Sequence, residues 1–408
     1  MVKYELKKIF GRPLGRLSLV VLAAALAVTC FFALRVPYVN DQGETEYGLA
    51  AIHQLRVAQK AWAGPLDEAK LRAVIEANNA VNASPEAQSD DVQELNMAFS
   101  RKQGFNPIRD LLNSAYAEGF RTYDYYRADS LTPDDATAFY ENRVTLLADW
   151  LAAEGEGEDQ FTPAEKAWLL DQYRTLKSPW QMDCFLGWQQ LFEYAPTVVM
   201  ITALVLGFLA AGIFSCEGQW RADAIFFTTR HGRDKGSAAK VWAGVLVVTV
   251  LYWLAFLIFS GLVLGVLGAD GGACPIQVYL WKSPYQVTLR QSWLLIALGG
   301  YLGCLFLSAV TMLVSAKTGS GMVSAVIPFV LIFLPALLLG DMRDLLQAVL
   351  GLLPDRLLQF SRQLTYFDLY QFGDRVIPAV PLLLGMYSVL TPLLFPACHL
   401  IYRRKQLR

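Results

Sequence analysis

The chain has 408 residues, of which 54% are hydrophobic and 17% charged, against about 25% charged in an ordinary soluble domain. The net charge of −1 conceals two opposed regions. Residues 36–194 hold 13 Lys/Arg and 26 Asp/Glu, a net of −13, and the remainder nets +12. This excludes an ordinary soluble domain, and no nucleic-acid partner is expected. The six cysteines form no CxxC pair and the three histidines lie far apart, so neither set predicts a metal site.

In chain order, the first ten residues place Val2, Leu6, Ile9 and Phe10 on one helical face, with Lys3 and Lys7 elsewhere. This predicts a short helix lying in the membrane interface. Six charge-free apolar stretches follow: Leu17–Leu34, Ala195–Phe214, Val241–Gly268, Trp293–Ala316, Met322–Gly340 and Val376–Tyr402. Each approaches or exceeds the roughly 20 residues a bilayer requires. The first is expected to remain as an uncleaved helix, because its apolar run continues past the small residues Ala25 and Ala27. Pro328 and Pro335 interrupt the fifth, as membrane helices tolerate when neighbours satisfy the freed backbone.

Between the first two stretches lies a domain over residues 36–194, long enough for its own core. It reads as helical. Helix starts are expected at Pro65, Asn106-Pro107, Thr132-Pro133-Asp134-Asp135 and Thr162-Pro163-Ala164-Glu165, the last a capping box. Asn78 and Asn79 mark where the apolar face of the first gives out, and no convincing alternating run appears. The acidic balance permits two readings: recruitment of cationic ligands, or solubility alone.

The 26-residue segment 215–240 is long for a connector. Ala224, Phe226 and Phe227 offer an apolar edge near Glu217, Arg221 and Asp223, which suits either a handle for a partner or a topology-fixing loop. Gly261/Gly265 and Gly299/Gly303 are small-xxx-small pairs that permit close helix contact. The segment 341–375 is apolar around Pro354 but too short to span. It is expected to be a re-entrant or interfacial hairpin with Tyr366, Phe367, Tyr370 and Phe372 in an aromatic belt, the alternative being a helix packed under the inserted domain.

Short segments on one side of the six-span arrangement carry 15 Lys/Arg and those opposite carry six. Both termini are therefore expected in the cytoplasm and residues 36–194 outside the cell membrane. Cys184 and Cys274 would then be the only external cysteines. A disulfide between them and two free thiols both remain open.

The segment from Glu217 through Ala224–Thr229 and Gly232-Arg233 to Lys240 resembles the signature of ABC-2-type transporter permeases. The opening Tyr4–Phe10 and the six-span layout are similar to that family as well. The departure is Arg221-Ala222, where many members have Gly-Thr. The resemblance covers the spans and none of the inserted domain. It implies an all-α polytopic protein organised as 1–35, 36–194 and 195–408. It also implies an ABC exporter half that pairs with a second permease chain in the lipid bilayer. Glu217, Arg221, Phe226, Arg230, Arg233 and Lys240 would then couple it to an ABC ATPase subunit.

No GxxxxGK[ST] loop occurs, so ATP is expected on a separate chain and no cofactor on this one. Charge-free spans argue against ion-coupled transport. No G-x-S-x-G or HExxH occurs, which leaves no catalytic residue to nominate. The competing reading is a membrane-anchored sensor whose outer domain binds a ligand.

Overall fold

The computed structural model describes residues 1–155, 157–338 and 349–405. Glu156, positions 339–348 of the fifth apolar stretch and the segment after it, and the last three residues lie outside the described residues. The chain is mostly helical. Among the described residues, five helices are long and apolar enough to cross a membrane.

Helix α1 (Val2–Gly11) ends at Arg12, and Pro13 starts α2 (Pro13–Ala33), the first of the five. Proline suits a first helical position, since its missing N–H would have had no intrahelical partner. The inserted domain contributes α3 (Leu49–Lys60), α4 (Glu68–Asn82), α5 (Val92–Lys102), α6 (Asn106–Ala115), α7 (Phe139–Ala152), α8 (Gly157–Gln160) and α9 (Pro163–Thr175). Thr162 and Glu165 close the expected capping box of α9. The Thr132 signal likewise forms a capping box with Asp135, but it opens a 3-10 turn (Pro133–Ala138) that leads into α7.

Pro65 does not open a helix. It lies in the strand Gly64–Pro65, paired antiparallel with Gln181–Met182, and α4 starts three residues later, capped by Asp67. Where the apolar face of α4 gives out, Asn78 is buried and donates to Asp129 Oδ1 at 2.9 Å, so a polar contact extends that face.

Then come α10 (Leu186–Gln219), α11 (Asp223–Thr228), α12 (Ser237–Leu267), α13 (Leu289–Thr318), α14 (Gly321–Leu338), the short α15 (Asp355–Leu358) and α16 (Phe360–Gln363), and α17 (Ala379–Arg403). The four long ones, with α2, are the membrane-crossing candidates. α10 is the centre of the bundle, packing against α2, α12, α13 and α14, and α13 packs against α17. At 34 residues, α10 runs about 51 Å, far beyond a hydrocarbon core of about 30 Å. Its first turns therefore belong to the inserted domain and its last turn to the opposite end. α14 is an apolar 18-residue helix outside the five, seated where Pro328 meets Gly207 of α10: a Cβ there would lie 2.3 Å from the proline ring.

Polar side chains stitch the bundle together where lipid offers no hydrogen bonds. Ser315 donates to the Ala211 carbonyl at 2.7 Å, Tyr252 to the Ala297 carbonyl at 2.7 Å and Trp293 to Ser260 at 3.1 Å. The two glycine pairs behave differently. Gly299 and Gly303 receive Phe360 and Leu357/Leu358, whereas Gly261 and Gly265 face open space.

The inserted domain shares its core with the bundle. Arg143, buried, lies 3.6 Å from the centre of the Tyr173 ring, with Trp180 and Trp281 at 5.5 and 5.6 Å. It donates to the Trp281 and Ser283 carbonyls, gripping the loop between α12 and α13. Burial pushes its guanidinium below the ordinary value. Arg56 and Lys60 of α3 grip the same loop through Asp270, at 2.6 and 2.8 Å.

Beyond α16 the chain forms a hairpin, Leu369–Phe372 with Arg375–Pro378, closed by Gly373 at φ +61, the left-handed region that glycine enters without strain. Phe367 stacks on Phe120 at 5.7 Å and meets Trp150 and Tyr173. Its place is thus in the inserted domain's core rather than an aromatic belt, while Tyr366 and Phe372 are exposed.

Cys184 and Cys274 are both buried free thiols. Cys184 Sγ donates to Gln59 Oε1 at 3.3 Å, and burial pushes the Cys274 thiol up to about 12.

Candidate functional site

The segment singled out in the sequence divides in two. Glu217 is in the last turn of α10 and Lys240 in the first turns of α12, so neither is on a loop. Their helices run on past the apolar stretches and bring the two side chains together inside the protein. Lys240 Nζ donates to Glu217 Oε1 at 2.7 Å, to Glu5 Oε2 at 3.1 Å and to the Ile213 carbonyl at 2.8 Å. Lys8 closes the circuit, 2.7 Å from Glu5 and 2.9 Å from Glu217.

Two carboxylates thus meet two ammonium groups, and the charge cancels. Lys240 is 0% and Glu217 3% exposed. Removal from water is tolerable here because every charge has an opposite partner and further hydrogen bonds. Burial works against the charged Lys8 ammonium, but its bonds to Glu5 and Glu217 outweigh that and raise its pKa.

Aromatic rings wall the network. Lys240 lies 5.5 Å from the Phe226 ring centre and 6.0 Å from that of Phe214, and Lys8 lies 5.9 Å from that of Phe226. Tyr402 of α17 packs on Phe214, Phe226 and Phe227 and directs its hydroxyl to Glu217 at 3.4 Å. The expected apolar edge of α11 therefore faces inward through Phe226 and Phe227.

Arg233 is a clasp of a different kind. It donates to the carbonyls of Arg403 and Lys405 at 3.1 and 3.0 Å and lies over Phe227 at 4.9 Å. Beside it, Asp234 approaches His399 at 3.6 Å and Arg403 at 3.8 Å, and Ser237 shares a hydrogen with His399 Nδ1 at 2.7 Å. The end of α17 is thereby tied to the start of α12.

Arg221 and Arg230 are the two nominated residues that stay outside the network. Both are exposed, as are Trp220 (53%) and Ile225 (70%) in the same segment. Arg221 takes a positive φ of 53°, rare for a side-chain-bearing residue, at the corner between α10 and α11. Arg230 borders an open cleft of about 420 Å³ with Met1, Tyr4, Phe226 and His231.

Of the six nominated residues the structure therefore joins Glu217, Phe226 and Lys240, places Arg233 alongside, and leaves Arg221 and Arg230 at the surface. Sequence reasoning missed Glu5, Lys8 and Tyr402. The one available signal was Glu5, an acid within the buried stretch of an otherwise basic, apolar helix.

The described residues include no group of three or more His, Cys, Asp or Glu side chains able to hold a metal ion. Comparison with known protein families, with curated proteins and with solved structures yields no match to this chain.

Proposed function

We propose that this chain is the membrane-spanning permease subunit of an ATP-driven ABC exporter of the ABC-2 type. A separate ATPase chain binds the ATP, and a second permease chain completes the path. In this reading six helices cross the cell membrane, α14 being the fifth. Both termini are cytoplasmic and the domain 36–194 is external, in keeping with 15 Lys/Arg against six in the short segments.

One observation carries the reading. The segment 220–230 presents an exposed apolar and basic surface, Trp220, Arg221, Ile225 and Arg230, on a base locked by the Glu217–Lys240–Glu5–Lys8 network. A surface so mounted transmits a push from a docked partner directly into α10 and α12, instead of losing it in a flexible loop. Glu217 and Lys240 serve in this scheme as the mount and not as the contact.

The sensor reading draws on the inserted domain's grip on the α12–α13 loop through Arg143 and Arg56, which would pass a ligand-driven shift to the spans. Purification of the tagged full chain in mild detergent separates the two. An exporter half brings an ATPase with it, and Ile225→Asp with Arg230→Glu sheds that ATPase while the chain still inserts. Purification without any ATPase from cells that express one, or full retention by the double variant, refutes the docking assignment.

A further inference from the structure

The ion network balances without Arg12. Glu5 and Glu217 are matched by Lys8 and Lys240. Arg12, at the elbow between α1 and α2, stands outside that balance. Its contacts are the Gly212 carbonyl, 3.5 Å from Nη1, and the face of Trp220 at 4.4 Å. Its Nε and Nη2 are buried with no hydrogen-bond partner among the described residues. Those two nitrogens form the side-on edge of the guanidinium, the edge that grips two oxygens of one phosphate or carboxylate. Buried donors left without an acceptor are destabilising, so a partner for them has a large effect to recover.

Arg12 lines a cavity of about 40 Å³, room for roughly three water-sized groups. Its walls are of two kinds. Arg12, Lys8 and Glu5 come from the elbow and the interfacial helix, while Leu14, Phe208 and Leu209 come from the membrane-crossing α2 and α10. Glu5 does not repel an anion here, because both its oxygens are engaged by Lys8 and Lys240. A site polar at its mouth and apolar along α2 and α10 matches a molecule with a charged head and a hydrocarbon tail.

We infer that the α1–α2 elbow is a binding site for the headgroup phosphate of an anionic membrane lipid, held by the Nε–Nη2 edge of Arg12 with the acyl chain along α2 and α10. The lipid would supply the charge that Arg12 lacks and fasten the interfacial helix to the bundle. The inference needs only that the chain is a multi-pass membrane protein, and stands whatever the chain transports.

The test uses the full chain in mild detergent, with bound lipid counted by native mass spectrometry. The additions are dioleoyl phosphatidylglycerol, dioleoyl phosphatidylcholine or inorganic phosphate. Wild type should retain phosphatidylglycerol in preference to phosphatidylcholine. Arg12→Gln should lose that preference about tenfold, the effect of one charge-assisted hydrogen bond. Arg12→Lys, which keeps the charge but not the fork, should fall between, and carries the test if the glutamine variant fails to fold. Arg16→Gln, exposed on the same elbow, should match wild type. Equal retention of both lipids by wild type, or undiminished preference in both Arg12 variants, overturns the site. Stabilisation by inorganic phosphate without lipid retention overturns the lipid and assigns the site to a free phosphate.

Discussion

The two ends of the helix bundle bury cations by opposite means. At the end bearing the termini, Lys240 is enclosed with two carboxylates and the network is neutral. At the other end Arg143 is enclosed by Tyr173, Trp180 and Trp281, and its hydrogen bonds go to two backbone carbonyls. An ammonium is a compact, strongly hydrated charge that needs countercharges when buried; a guanidinium is weakly hydrated and accepts ring faces and carbonyls. The comparison teaches that the first joint is stoichiometric and fails as a unit. The second is a clamp whose strength is shared among packing contacts. A third joint, Asp270 with Arg56 and Lys60, uses charge at the surface and serves as the weak reference.

Breaking the stoichiometry should have the largest effect. Glu217→Gln or Lys240→Met alone leaves uncompensated charge in the interior and should cost about 3–5 kcal/mol, read as lost thermal stability in detergent. The double variant should lose less than either single change, because the countercharge problem disappears with both groups. Additive losses would show that the pair is not coupled as described.

Arg143→Met should come next, at about 2–4 kcal/mol, from a desolvated cation–π contact and the bonds to Trp281 and Ser283. Arg143→Lys should recover only part, since an ammonium lacks the planar fork. Full recovery would place the first joint and the clamp in one class.

Asp270→Asn should be smallest, about 0.2–1 kcal/mol, because the pair is partly exposed, and should shrink further in high salt. Bonding chiefly to Lys60, then to Arg56, holds the Asp270 carboxyl below its ordinary value. A depressed carboxylate stabilises the fold above its unfolded pKa, near 3.9. That stability is lost as pH falls through the still lower folded value. The gap between wild type and Asp270→Asn should therefore be constant from neutral pH down to about 5 and close below about 4. A gap that widens in acid would reverse the assignment.

Much of the helix layout follows from local chemistry. Charge exclusion over about 20 residues marks a membrane helix wherever it occurs, and Thr162 with Glu165 or Thr132 with Asp135 close their boxes within four residues. These signals depend on neighbours in the chain, so a single sequence determined them: the helices long and apolar enough to cross a membrane, the short helix α1, and the helical character of the inserted domain. Pro65 failed as a helix start because a strand partner from residues 181–182 claimed it. Phe367 left its expected belt because Phe120 and Trp150 offered a packed core.

Only the tertiary structure decided which charges are buried. Glu5 and Lys240 are separated by 235 residues and Tyr402 and Glu217 by 185, and no periodicity records such meetings. An exposed Arg230 and a buried Lys240 look alike in sequence, each a cation in a basic segment. The difference arises where α1, α10 and α12 converge, because a charge can leave water only where the fold delivers its partner.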